Sequence, residues 1–162
     1  MGPKDVVLNS ISTSDFMLNA YLDGLSDADL KIRPIEGMNP IALQLGHLIS
    51  AERMFAELLS PGSSPALPDG FEAAHSLKEQ SSDDSRFLTK DAYLALLKTH
   101  RAVILSVLDS LSDADFGDTK DGKLPPFAPT VGALLNMVAM HSINHSSQFI
   151  AVRRYLKLPV AF

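Results

Sequence analysis

Cysteine is absent from the 162 residues. No disulfide can form, no thiolate nucleophile is available, and any metal site has to be built from imidazole and oxygen. Basic charge is also scarce. Fourteen Lys and Arg against nineteen Asp and Glu leave a net charge of −5, which offers no counterion-release grip on DNA or RNA, so no nucleic-acid partner is expected. Long apolar runs are missing: the most apolar stretch, residues 131–140, contains Asn136 and falls well short of the roughly twenty residues that span a bilayer. No membrane is expected. The first residues carry Lys4 beside Asp5 and lack the basic, apolar, small-residue order of a signal peptide, which points to the cytoplasm. Apolar and polar residues never alternate strictly over a useful length, so strands are not expected either.

What is present is a globular composition, 46% hydrophobic and 20% charged, and residues 1–162 read as one domain able to bury its own core. Four segments carry helical spacing. Val7, Ile11, Leu18, Leu22 and Leu25 mark a helix over residues 5–23. A second opens with Asn39 as cap and Pro40 at its first position, runs through Ile41, Leu45, Leu48, Phe55 and Leu59, and stops before Pro61. A third starts behind Thr89 with Tyr93, Leu97, His100, Ile104, Val107 and Leu111 on one face. The fourth runs from Thr130 to about Leu156, with Leu134, Val138, His141, His145 and Val152 on one stripe, and Pro159 closes it. The class is all-α. Residues 61–88, with three prolines and a run of Ser and Asp, read as a long crossover between helices 2 and 3.

The sequence also repeats itself once. Leu25-Ser26-Asp27-Ala28-Asp29-Leu30 returns as Leu111-Ser112-Asp113-Ala114-Asp115-Phe116, each copy following a helix. Serine followed by acidic residues suits the start of a helical turn, so the two copies read either as one capping box used twice or as a duplicated helix pair, and two helix pairs make a four-helix bundle.

Histidine carries the chemistry. His141 and His145 are four apart on a helix, which places their Cβ atoms about 6 Å apart on one face and lets both rings reach one ion at about 2.1 Å. Both lie on the apolar stripe, where two imidazoles on adjacent turns need hydrogen bonds, an ion, or both. His47, flanked by Leu43, Ala51, Met54 and Leu58, offers a third vertex. Glu52 is about 140° round the helix from His47 and is not expected to share the ion. His100 reads as a hydrogen-bonded core histidine, and His75, in the proline-rich crossover, as solvated. Ser142 stands where a zincin would carry its glutamate, no glycine-rich phosphate loop or nucleophile elbow is present, and no glutamate stands three residues before a histidine as in di-iron bundles.

These blocks, Asn39-Pro40-Ile41 leading to Gly46-His47-Leu48 and His141-Ser142-Ile143-Asn144-His145-Ser146-Ser147-Gln148, resemble the DinB-like (YfiT-like, damage-inducible) bundle proteins. The resemblance covers nearly the whole chain. It implies a four-helix bundle with two pseudo-twofold related pairs and a divalent ion held by His47, His141 and His145. The chain departs from the commonest form of the motif, because Asn144 precedes the last ligand and Ser146-Ser147 replace Arg-Gly. Some relatives use such an ion to activate a low-molecular-weight thiol.

Three protein ligands leave a position open for water or substrate. The expected function is thus a divalent-metal protein with a thiol-transferase or hydrolase activity on a small molecule, a low-molecular-weight thiol included. Asn144 and Gln148 are candidate substrate contacts. Imidazole suits zinc or nickel first and admits iron or copper. The alternative is a non-catalytic metal-binding or interaction module, with a homodimer formed through an apolar bundle face.

Overall fold

Two of the four long helices begin behind a capping side chain and the other two beside a proline. In the computed structural model, which describes residues 1–77 and 84–160, helix α1 (Pro3–Leu22) has Pro at its first position, where a missing N–H costs nothing. The Asp5 carboxylate turns back to accept from the Gly2 N–H at 3.0 Å. Helix α2 (Ile41–Leu59) follows Pro40, whose extended backbone occupies the cap position, so the expected Asn39 cap is displaced by one residue. Asn39 contributes its carbonyl instead, accepting from Gln44 Nε2 at 2.9 Å. A one-turn helix, α3 (Phe71–Ala74), lies in the connection to α4 (Lys90–Ser110). Both α4 and α5 (Val131–Tyr155) start behind threonine caps as expected, Thr89 Oγ1 accepting from Ala92 N and Thr130 Oγ1 from Ala133 N. Helix and 3₁₀ turns account for the regular structure, with no strand among the described residues. None of these helices is long and apolar enough to cross a membrane.

Helix α1 packs mainly along α5, and α2 packs along α4 and α5, while α1 and α4 barely touch. The apolar core comes in two halves. One gathers Leu18, Tyr21, Leu25, Leu45, Leu48, Tyr93 and Phe149; the other gathers Ile11, Phe55, Ile104, Leu108, Leu134 and Val138. The change from one half to the other falls on polar residues in every long helix. They are Ser14 and Asp15 in α1, the stretch between His47 and Glu52 in α2, His100 and Arg101 in α4, and His141, Ser142, His145 and Ser146 in α5. Burying a Leu or Ile there instead would contribute about 1.5–3 kcal/mol each, so a polar layer through the middle of the core sacrifices stability unless its members are partnered.

The two copies of the repeated motif fold alike. Asp29 Oδ2 accepts from Ser26 N and Oγ at 2.8 and 2.7 Å, and Asp115 Oδ2 accepts from Ser112 N and Oγ, both at 2.7 Å. Each opens a 3₁₀ turn, Asp29–Lys31 and Asp113–Gly117. Their first residues are tied reciprocally: Lys4, at the start of α1, donates to Leu111 O at 3.2 Å, and Lys90, at the start of α4, donates to Leu25 O at 2.5 Å.

The connection between α2 and α4 corrects one expectation. His75 is not solvated but 2% exposed. Its Nδ1–H donates to Phe71 O at 2.7 Å, and its Nε2 accepts from the Tyr93 hydroxyl at 2.6 Å, whose oxygen accepts in turn from Leu88 N. Burial pushes the Tyr93 hydroxyl up to about 12, so it keeps the proton it donates. Gly46 makes room for this ring, because a Cβ there would lie 2.0 Å from His75 Cδ2. A hole in one helix and a donor on another decide the burial, and neither is visible from the proline content of the connection.

Candidate metal centre

Helix α2 presents His47, and α5 presents His141 and His145 one turn apart, all at the level of the polar layer. His141 Nε2 lies 3.1 Å from His47 Nε2 and 3.1 Å from His145 Nε2, and one nitrogen from each of the three rings falls within 4.8 Å of the others. The ring of Phe55 lies beside His141, its centroid 6.3 Å away. Two nitrogens each about 2.1 Å from one ion lie about 3.4 Å apart in tetrahedral geometry and closer when the angle narrows, so these separations suit a shared cation.

The protons support the same reading. Gln44 is 1% exposed and donates through Nε2 to Asn39 O, a pure acceptor, which fixes its amide orientation. Its Oε1 therefore faces His145 Nδ1 at 3.1 Å, the proton of His145 sits on Nδ1, and Nε2 is left as a lone pair aimed at the other rings. One N–H on His141 can point at only one of its two neighbours, whereas a cation satisfies all three nitrogens at once. Burial, then the neighbouring imidazoles, pull His141 down to about 4; burial and His47 do the same for His145; burial lowers His47. All three rings are thus neutral at neutral pH, the state in which imidazole binds a metal.

The other expected site residues sit differently. Asn144 and Gln148 are exposed on α5, and Gln148 Nε2 reaches the Asn144 carbonyl at 3.4 Å rather than any of the three rings. His100 is fully buried as expected, but neither ring nitrogen has a hydrogen-bond partner among the described residues, contrary to the reading of a satisfied core histidine. Its side of α4 faces the Arg53 guanidinium, which offers no acceptor, and burial together with that charge lowers its basicity.

Two features escaped the sequence reading. Gln44 shares the face of His47 three residues earlier, so a wheel of α2 could have found it. The second is an ion network in the same polar layer. Arg101 of α4, 4% exposed, donates Nε to Glu52 Oε2 at 2.8 Å and an Nη to Glu52 Oε1, and its other Nη reaches Asp15 Oδ1 of α1 at 2.5 Å. Glu52 is thereby turned away from the histidines, as the wheel geometry required.

An open groove of about 820 Å³ borders His47, running along α2 under residues 72–77.

Fold and site together define an all-helical protein with a group of three histidines, His145 buried and His47 and His141 half-buried, able to hold a metal ion. The chain belongs to the DinB superfamily, whose family model matches residues 14–149. No curated protein and no solved structure matches the chain significantly.

Proposed function

We propose that His47, His141 and His145 ligate a divalent transition metal, zinc or nickel ahead of iron or copper, in a site that keeps a position open for a small molecule. The observation that carries this reading is the convergence of three neutral imidazoles whose tautomer, at His145, is set by Gln44 so that a lone pair faces the other two rings. A bound ion there supplies Lewis acidity toward a thiol or a carbonyl. The activity we assign is a metal-dependent thiol transferase or hydrolase acting on a small molecule, a low-molecular-weight thiol included. The protein's own residues position the ion: Phe55 lies beside His141, and Asn144 and Gln148 at the solvent edge of α5 are the proposed substrate contacts. Among the described residues no carboxylate joins the group of three rings, and Glu52 is held by Arg101.

The test is elemental analysis of the purified protein beside His47→Ala, followed by a panel of thiols and esters with and without metal. One equivalent of metal in the wild type, its loss in the variant and turnover only in the loaded protein are the expected results. Metal without turnover across the panel favours a non-catalytic binding module. No bound metal overturns both readings.

For the architecture, we propose a single domain over residues 1–162 whose four long helices form a bundle of two pseudo-twofold related pairs, joined by the expected crossover over residues 61–88, of which 78–83 lie outside the described residues. The matched motif copies and the reciprocal Lys4–Leu111 and Lys90–Leu25 ties support it.

A further inference from the structure

The longest uncharged stretch of the chain, residues 124–152, takes in nearly all of α5. From Val131 to Val152 there is no Lys, Arg, Asp or Glu in 22 residues, although 20% of the whole chain is charged. Burial does not account for this, because twelve of the 22 positions are exposed or half-buried. Helix α1 lies alongside in the same direction, Ile11 sharing one half of the core with Leu134 and Val138, and Leu18 the other half with Phe149. Its residues on the α5 side are uncharged too: Val6, Ser10, Thr13, Met17 and Ala20 follow one another at steps of three and four. Between the two helices, starting at Met1, runs a furrow of about 380 Å³ walled by Val6, Asn9, Thr13, Asn136 and Met140. Val6 is 50% exposed and Met140 56%.

We propose that a second copy of this chain docks on this face, the α1 and α5 of each copy packing on those of the other in an isologous dimer. Charge chooses the occupant. The side chains that give the molecule its net charge of −5 all lie outside this face, so two copies meet net repulsion over the rest of the surface, whereas here neither brings a charged side chain to desolvate. A partner with a charged surface would leave its charges unpaired. The face also complements itself. Met140 stands out as a knob beside a furrow that can receive its counterpart, and Asn9 and Thr13 carry groups that both donate and accept, so each can bond to its own copy across a twofold axis. The area suffices. Two neighbouring helices offer a face roughly 25 Å by 20 Å, on the order of 500 Å² in projection and more once side chains interlock, against about 800 Å² per partner in a standard interface. The inference goes beyond the metal reading and does not depend on it.

Sedimentation equilibrium of the purified full chain, from about 1 to about 100 µM, tests it. A dimer is the species expected at the upper end. Met140→Glu on α5 and Thr13→Lys on α1 each bury an unpaired charge in the interface and should weaken the dimer at least about tenfold, while helical circular dichroism and zinc uptake stay at the wild-type level. Met54→Glu, at a methionine of similar exposure on α2, should leave the dimer unchanged. Raising salt from about 0.05 to about 0.5 M screens the repulsion between two acidic copies and should strengthen association, whereas an interface held by ion pairs would weaken. If Met140→Glu loses its helical signal, Thr13→Lys and the salt series decide. A monomer at every concentration, a dimer untouched by both inserted charges, one broken equally by Met54→Glu, or one that weakens with salt overturns the proposal. A monomer that takes up zinc leaves the metal reading standing, and a dimer that takes up none leaves the interface standing.

Discussion

Two polar clusters occupy the same layer of the core, and both draw on α2: Glu52 enters the ion network with Arg101 and Asp15, and His47 enters the group with His141 and His145. The first is closed. Arg101 brings donors, Glu52 and Asp15 bring acceptors, and the three helices α1, α2 and α4 are tied together by paired opposite charges. The second is open. Its rings are neutral, at least one lone pair faces inward, and the hydrogen bonds at the site serve to orient the rings rather than to satisfy them. A polar cluster whose members satisfy one another is architecture, whereas three ring nitrogens that converge in this way could hold a metal ion.

The contrast breaks first, and most heavily, at Arg101. Arg101→Met strands the Glu52 carboxylate in the core and should cost about 3–5 kcal/mol of folding free energy, read from urea midpoints, while zinc binding at saturating metal survives. A loss below about 1 kcal/mol would mean the network is not structural. Next is Gln44→Leu, which frees His145 to change tautomer and should weaken zinc binding about 10–100-fold. Nitrogen NMR of His145 in the metal-free protein should show the change of protonated nitrogen, and Gln44→Glu, which keeps an acceptor, should restore both readouts.

Acid sharpens the comparison further. Folded His141 and His145 take up protons only at about 4, whereas the unfolded chain does so near the ordinary histidine value of about 6.5. Between these values the unfolded state binds more protons, so the histidines make the metal-free fold lose stability as the pH falls through that window. Burial raises Asp15 and Glu52, which contributes with the opposite sign, so the histidine share is read as a difference. A His141→Ala/His145→Ala variant should lose less stability between pH 6.5 and 4 than the wild type, and equal slopes would refute the open character of the site. The smallest effect belongs to Asp15→Asn. This partner is a third exposed, and its removal leaves the Arg101–Glu52 pair intact, for an expected cost of about 0–1 kcal/mol in the same urea experiment.

The helices and their faces were legible because they depend on neighbours three and four residues away. Val7, Ile11, Leu18, Ile41, Leu45, Tyr93, Ile104, Leu134 and Val138, placed inside by spacing, are all buried. The pair His141 and His145 was legible for the same reason, and His47 through the apolar flank it shares. Gln44 on His145 and Glu52 on Arg101 were not, since these partners stand 101 and 49 residues apart. His75 and His100 fail in opposite directions. The first is buried by a gap at Gly46 that only packing exposes, and the second lacks the hydrogen bonds that its burial led one to expect.

Periodicity, caps and the absence of cysteine, all local or compositional properties, determined from the sequence alone that this chain is helical, where its long helices lie, and that any metal would meet imidazole or oxygen rather than thiolate. Which polar residues close on one another and which are left open was decided only by the tertiary structure. Hydrogen bonds and ion pairs act over about 3 Å, and whether distant segments come that close depends on how whole helices pack.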